Sequence, residues 1–258
     1  MSLEATCLLA LRCKKRGHRD HCHSLCYPYL RLHGEKGTGG VRGLAQIPKS
    51  YEQVMAHNLP YEKDNPEAHA IVTAYCQEVL EKVDEGLGLY LYSIPGRGNV
   101  KGTGTGKTTT AIAILHEYLV ARTIQHIKKE RVLDALPALF INASRFQNHY
   151  NAQFRGPKEL QDKASLRYYE SKAFMLQTNL LVLDDIGIRE ATEAFKSEFY
   201  EVIDERAVDQ KATVFTSNEP LERLETLLDP RIVSRIEGCT FSISFEGEDK
   251  RKKGALLC

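Results

Sequence analysis

The sequence predicts an α/β fold, a parallel sheet between two helical layers, and two observations predict it. Four short apolar runs, residues 88–93, 138–142, 179–183 and 212–216, are separated by stretches long enough for a helix, the rhythm that produces parallel strands with helical crossovers. Directly after the first run comes Lys101-Gly102-Thr103-Gly104-Thr105-Gly106-Lys107-Thr108-Thr109, which opens into the amphipathic residues 111–120. Strand, glycine loop and helix in that order form the setting of a phosphate-binding turn.

Ahead of the first strand, Ala68, Ile71, Val72, Tyr75, Val79 and Leu80 recur at helical spacing within residues 67–83, and Gly86 and Gly88 end that helix. The glycine loop then departs from the pattern G-x-x-x-x-G-K-[ST] at one place: Lys101 stands where its first glycine belongs, leaving Gly102 or Gly98 to make the turn. The ligand class is unaffected. Backbone N–H groups of Gly102, Thr103, Gly104, Thr105 and Gly106 can turn inward around a β-phosphate, and the helix start adds partial positive charge. Lys107 reaches the β and γ phosphates, the Thr108 hydroxyl is a magnesium ligand, and Thr109 completes the cradle. ATP with Mg2+ is the expected cofactor pair.

The third strand delivers Asp184 and Asp185 at its carboxyl end, before Ile186 and Gly187, where open α/β sheets bind ligands. Asp184 is the expected magnesium holder, and Asp185 is placed to orient or deprotonate an attacking water. The fourth strand ends Val214-Phe215-Thr216-Ser217-Asn218. Asn218 lands beside the acids if the strands are neighbours, and otherwise caps a turn. Beyond it, Arg231 and Arg235 lie four apart on one helix face, as catalytic groups or surface ion-pair partners.

Taken in order, the phosphate loop, the Asp184–Gly187 strand end, Thr216-Ser217-Asn218 and Arg231–Ile236 resemble the AAA+ ATPases, specifically the DnaC/DnaI-type replicative helicase loaders, many of them phage or prophage encoded. The resemblance spans roughly residues 66–245. It implies an AAA+ P-loop three-layer sandwich, a sensor role for Asn218, and for Arg235 the role of an arginine finger acting on a neighbouring subunit, with Arg231 as second choice. Little chain follows Arg235, so the usual helical lid is not expected.

Elsewhere the sequence is informative in patches. The 258 residues are 42% apolar with a net charge of +1, ordinary for a globular core. No run approaches the roughly 18 apolar residues of a membrane span, and the start, Met1 to Cys7, lacks the pattern of a secretion signal. No membrane association and a cytoplasmic location are expected. Residues 1–43 hold eight Lys or Arg against three acids, together with Cys13, His18, Cys22 and Cys26 in the spacing C-x4-H-x3-C-x3-C. That set could bind zinc, with Cys7, His21 and His23 in reserve, and a small zinc-binding docking domain is also what the DnaI resemblance implies. Lys14, Lys15, Arg16 and Arg19 in the same loop could touch nucleic acid. The division expected is a Cys/His module over 1–43 ending in a flexible glycine joint (34–43), a connector over 44–65, and the ATPase domain over 66–258.

Residues 145–172 interleave Arg145, Phe146, His149, Tyr150, Phe154, Arg155, Lys158, Lys163, Arg167, Tyr168 and Tyr169. Positive charge among aromatic faces suits single-stranded DNA, although half or more of those rings are expected in the core. The resulting expectation is a slow ATPase, stimulated by DNA or partner, that loads a replicative helicase onto single-stranded DNA and works as a homo-oligomer on it. A transposition ATPase of IstB type, or a nucleotide-gated DNA-binding adaptor, is the alternative.

Overall fold

The computed structural model describes residues 3–18, 20–96, 99–100, 102–187 and 191–250. Helices α1 (Leu3–Thr6), α2 (Tyr27–His33) and α3 (Gly40–Leu44) precede α4 (Pro66–Gln77) and α5 (Val79–Asp84). The alternation then begins: β1 (Gly88–Ser93), α6 (Lys107–Ile127), β2 (Ala138–Asn142), α7 (Ala143–Ala152), α8 (Lys158–Gln177), β3 (Leu180–Ile186), α9 (Glu193–Val208), β4 (Thr213–Ser217), α10 (Leu221–Leu227), α11 (Pro230–Cys239) and β5 (Thr240–Phe245). The five strands pair in parallel in the order β2-β3-β4-β1-β5.

Alternate residues of each strand supply opposite layers. Leu89, Leu91, Phe140, Val182, Val214 and Ile243 pack with the buried face of α6, whereas Tyr90, Leu139, Ile141, Leu181, Leu183 and Phe215 pack with Phe146, Phe195, Phe199 and Ile236 of α7, α9 and α11. This is the expected three-layer sandwich. Because β3 and β4 are neighbours, Asp184, Asp185 and Asn218 emerge at the same edge as the loop after β1.

Three features differ from the sequence reading. The single helix over 67–83 is broken at Glu78, whose backbone leaves helical geometry. A fifth strand follows Arg235: Thr240-Phe241-Ser242-Ile243-Ser244-Phe245 alternates, with Ile243 and Phe245 buried and Phe241 exposed. The glycine joint contains α3, whose Val41 and Arg42 are buried. Residues 44–65 likewise insert Met55, Leu59 and Tyr61 into the core cluster on the α6 side, and Leu8, Leu9 and Leu32 from nearer the amino terminus join them.

Candidate active site

A cavity of about 400 Å³ opens over the start of α6, lined by Thr103 to Thr109, Asp185 and Asn218, and also by Ser50, Tyr51, Pro60 and Lys250. The loop is shaped by its glycines. Gly102 and Gly106 have φ of +57° and +112°, values that side chains resist, and a Cβ at Gly106 would lie 2.8 Å from the Tyr61 ring. Tyr61 sits beneath the loop with its phenol oxygen accepting from the Thr110 hydroxyl at 2.8 Å, and burial pushes its pKa up, so it stays neutral. Lys101, the departure from the glycine pattern, and Gly98, its candidate substitute, lie outside the described residues.

Lys107 is buried at 6% exposure and donates to the Gly102 carbonyl at 3.1 Å, to Asn218 Oδ1 at 3.0 Å and to the Ser93 hydroxyl. Ser93 closes β1 and also bonds the Thr105 hydroxyl at 3.0 Å. Thr108 Oγ1 donates to Asp184 Oδ1 at 2.8 Å. These two hard oxygen donors in contact, Thr108 at the cavity wall and Asp184 behind it, fit a magnesium ion, which when bound would neutralise phosphate charge. Asn142 supports both acids, its Nδ2 lying 3.5 Å from Asp184 Oδ2 and 3.4 Å from Asp185 Oδ2. Thr216 donates to Asp184 and accepts from the Asp185 backbone.

The sequence reading placed Gly102 to Thr109, Asp184, Asp185 and Asn218 together: Thr103 to Thr109, Asp185 and Asn218 line the cavity, while Asp184 and Gly102 meet it through their bonds to Thr108 and Lys107. It missed Ser93, Tyr61, Asn142 and Thr216, which meet the loop, α6 and the acids only through the fold, and the segment following β5. That segment crosses the loop: Asn65 exchanges two hydrogen bonds with the Glu246 backbone, Asn99 donates to the Gly247 carbonyl, and Lys250 N donates to the Gly104 carbonyl at 3.0 Å. Lys250 also pairs with Asp64.

Arg235 lies outside this cavity, on α11, where its Nε meets Asp204 Oδ1 of α9 at 2.6 Å and its side chain is 48% exposed. Arg231 pairs with Asp229 and covers the Tyr200 ring at 5.0 Å. Of the basic-aromatic segment, Phe146 and Tyr168 stack in the core. Phe154 and Tyr169 are exposed, as are Arg145, Arg155, Lys158, Lys163 and Arg167.

The amino-terminal Cys/His set is distributed as follows. Among the described residues no group of three or more His, Cys, Asp or Glu is spaced to hold a metal ion, while Cys7, Cys13, Cys22 and Cys26 stand around one cavity with His21 and His23. His18 is exposed, and its backbone carbonyl accepts from the N–H groups of His21 and Cys22. It does not line that cavity. Arg19 of the same loop lies outside the described residues.

Comparison with known proteins gives three results. Residues 157–253 match the family model described as IstB-like ATP binding protein. No curated protein matches by sequence. Among solved structures, DnaI is similar over 80% of this chain and 95% of that chain, with a TM-score of 0.57 and 18% identity. The DnaC helicase loader is similar over 77% and 99%, with a TM-score of 0.52 and 21% identity. DnaA bound to AMPPCP and single-stranded DNA is similar over 82% of this chain but only 56% of its own, with a TM-score of 0.52 and 18% identity. The chain has the fold of the DnaI and DnaC structures, and its residues 157–253 match the IstB-like ATP binding protein model.

Proposed function

We propose that this chain is an ATP-dependent loader of a replicative DNA helicase, acting on single-stranded DNA at replication initiation. The observation that carries the proposal is the convergence of Lys107, Thr108, Asp185 and Asn218 on one cavity, with Asp184 bonded to Thr108 behind its wall, in a fold shared with DnaI and the DnaC helicase loader over nearly their whole length. In this reading Lys107 leaves Ser93 and Asn218 to meet the β and γ phosphates, and loop N–H groups hold the β-phosphate. Asn218 then contacts the γ-phosphate or the water, and Asp185 orients that water or takes its proton. Arg235 leaves Asp204 and completes the site of the next subunit in a homo-oligomer, which makes turnover slow until the assembly forms.

Exposed Phe154 and Tyr169 stack bases while Arg155, Lys158, Lys163 and Arg167 meet phosphates. Leu11 and Leu25, 63% and 68% exposed in the amino-terminal region, provide apolar contact for the helicase. No helix among the described residues is long and apolar enough to cross a membrane, and the reading places the protein in the cytoplasm.

The test is co-elution with the replicative helicase of its own organism by size exclusion with light scattering, with and without ATP and Mg2+. A complex weakened by Leu25→Asp is expected; absence of a complex in every condition overturns the loader reading. Point substitution is preferred to deleting residues 1–40, because Leu8, Leu9 and Leu32 belong to the core around α6.

A further inference from the structure

The two acids at the end of β3 are held from the neighbouring strand by a residue to which the phosphate-loop chemistry assigns nothing. In the β3–β4 ladder Leu183 faces Phe215 and Ile186 faces Ser217, so Asp184 and Asp185 together face Thr216 alone. One residue is therefore extra on β3, a bulge, and Asp185 takes it up with a φ of +61°. A bulge removes a backbone N–H from its regular partner on the next strand. Here the Thr216 side chain replaces that partner, its Oγ1 accepting from the Asp185 N–H at 2.9 Å. The hydroxyl has one proton, and it goes to Asp184 Oδ1 at 2.8 Å. Thr216 is 0% exposed and Asp184 4%, so no solvent competes for the bond between them. The same carboxylate oxygen accepts from Thr108, the hydroxyl that a magnesium ion would draw away; the bond from Thr216 then keeps Asp184 aimed.

We propose that Thr216 is a positioning residue for the magnesium-nucleotide site: its hydroxyl fixes the Asp184 carboxylate and the bulged backbone of Asp185 at the same time. The inference rests on the ATPase reading above and deepens it. Thr216→Val keeps the branched shape and removes both bonds, taking the Thr216 acceptor from the Asp185 N–H. Thr216→Ser keeps the hydroxyl.

The experiment is titration of Mg2+ into each full-length protein with a fluorescent ATP analogue, read as the Mg2+ concentration that half-saturates the tightening of nucleotide binding, alongside steady-state ATP hydrolysis. Thr216→Val should raise that Mg2+ concentration and lower kcat, each by about 10–100-fold, the range for removing a partner behind a metal ligand. Nucleotide binding in EDTA should stay within about twofold of wild type, and Thr216→Ser should restore the Mg2+ dependence. Should the valine protein not accumulate folded, Thr216→Ala, which adds no bulk, is expected to give the same shift. Wild-type Mg2+ dependence in Val or Ala, or a serine variant as defective as valine, overturns the inference. Failure of the underlying reading looks different: the wild-type protein would then bind no magnesium nucleotide, and Lys107→Ala would change nothing.

Discussion

Asp185 occupies a left-handed conformation with φ +61°, where a short acid that can bond its local backbone is better tolerated than most residues. Glutamate more often serves as the water-orienting acid, and here the backbone disfavours it. Asp185→Glu is expected to destabilise the fold by up to about 1 kcal/mol without raising turnover, seen as a lower melting temperature beside an unimproved single-turnover rate. Asp185→Asn should keep nucleotide affinity while hydrolysis falls roughly 100-fold or more; an unchanged rate would remove Asp185 from the chemistry. Legibility at this scale follows contiguity. Lys107, Thr108 and the two acids were readable because backbone chemistry demands them in a row, whereas Ser93, Thr216 and Tyr61 act on them from other segments and leave no local spacing.

Among elements, α9 shows how the sheet edge is secured. Arg206 is 2% exposed and donates to the Thr213 hydroxyl and to the carbonyls of Met175, Thr178, Asn179 and Ala212. It thereby ties α9 to the entries of β3 and β4, the strands that carry the acids. Burial lowers its pKa to about 9, and its bonds are to neutral acceptors. Arg206→Met strands those acceptors, so a loss of about 3 kcal/mol or more is expected in chemical denaturation, and a loss below about 1 kcal/mol would contradict this role. Strand β5 carries an alternation in Phe241, Ile243 and Phe245, but the intervening threonine and serines leave no apolar run that marks a strand. The 44–65 segment had no period to read, since Met55, Leu59 and Tyr61 reach the core from turns and irregular chain rather than from one helix face.

At the scale of the molecule, the amino-terminal region and the α/β core share a buried polar seam. His33 is 1% exposed, accepts from the Leu8 N–H on Nε2 and lies beside Arg42; burial first and that guanidinium second lower its pKa to about 3. His116 of α6, fully buried, donates to the Val54 carbonyl, and burial lowers its pKa to about 4. Both are neutral when folded and gain protons near pH 6.5 when unfolded, so the unfolded state binds more protons in acid and stability falls as pH drops from about 6.5 toward 4. Unfolding free energy should be about 2 kcal/mol or more lower at pH 5 than at pH 7. His116→Asn should reduce that difference, and a flat profile would exclude the seam as its origin.

The seam also has a mechanical side, because α6 runs from Lys107 to Ile127. Its first turn holds the phosphate-facing Lys107 and Thr108, Glu117 at mid-length pairs with Arg12, and His126 near the far end meets the Tyr27 hydroxyl at 2.8 Å. At 1.5 Å per residue, Lys107 and His126 are about 28 Å apart along the axis. A tilt of about 5° at the nucleotide end therefore carries the Tyr27 contact through about 2.5 Å, a lever arm whose long end lies under the amino-terminal residues.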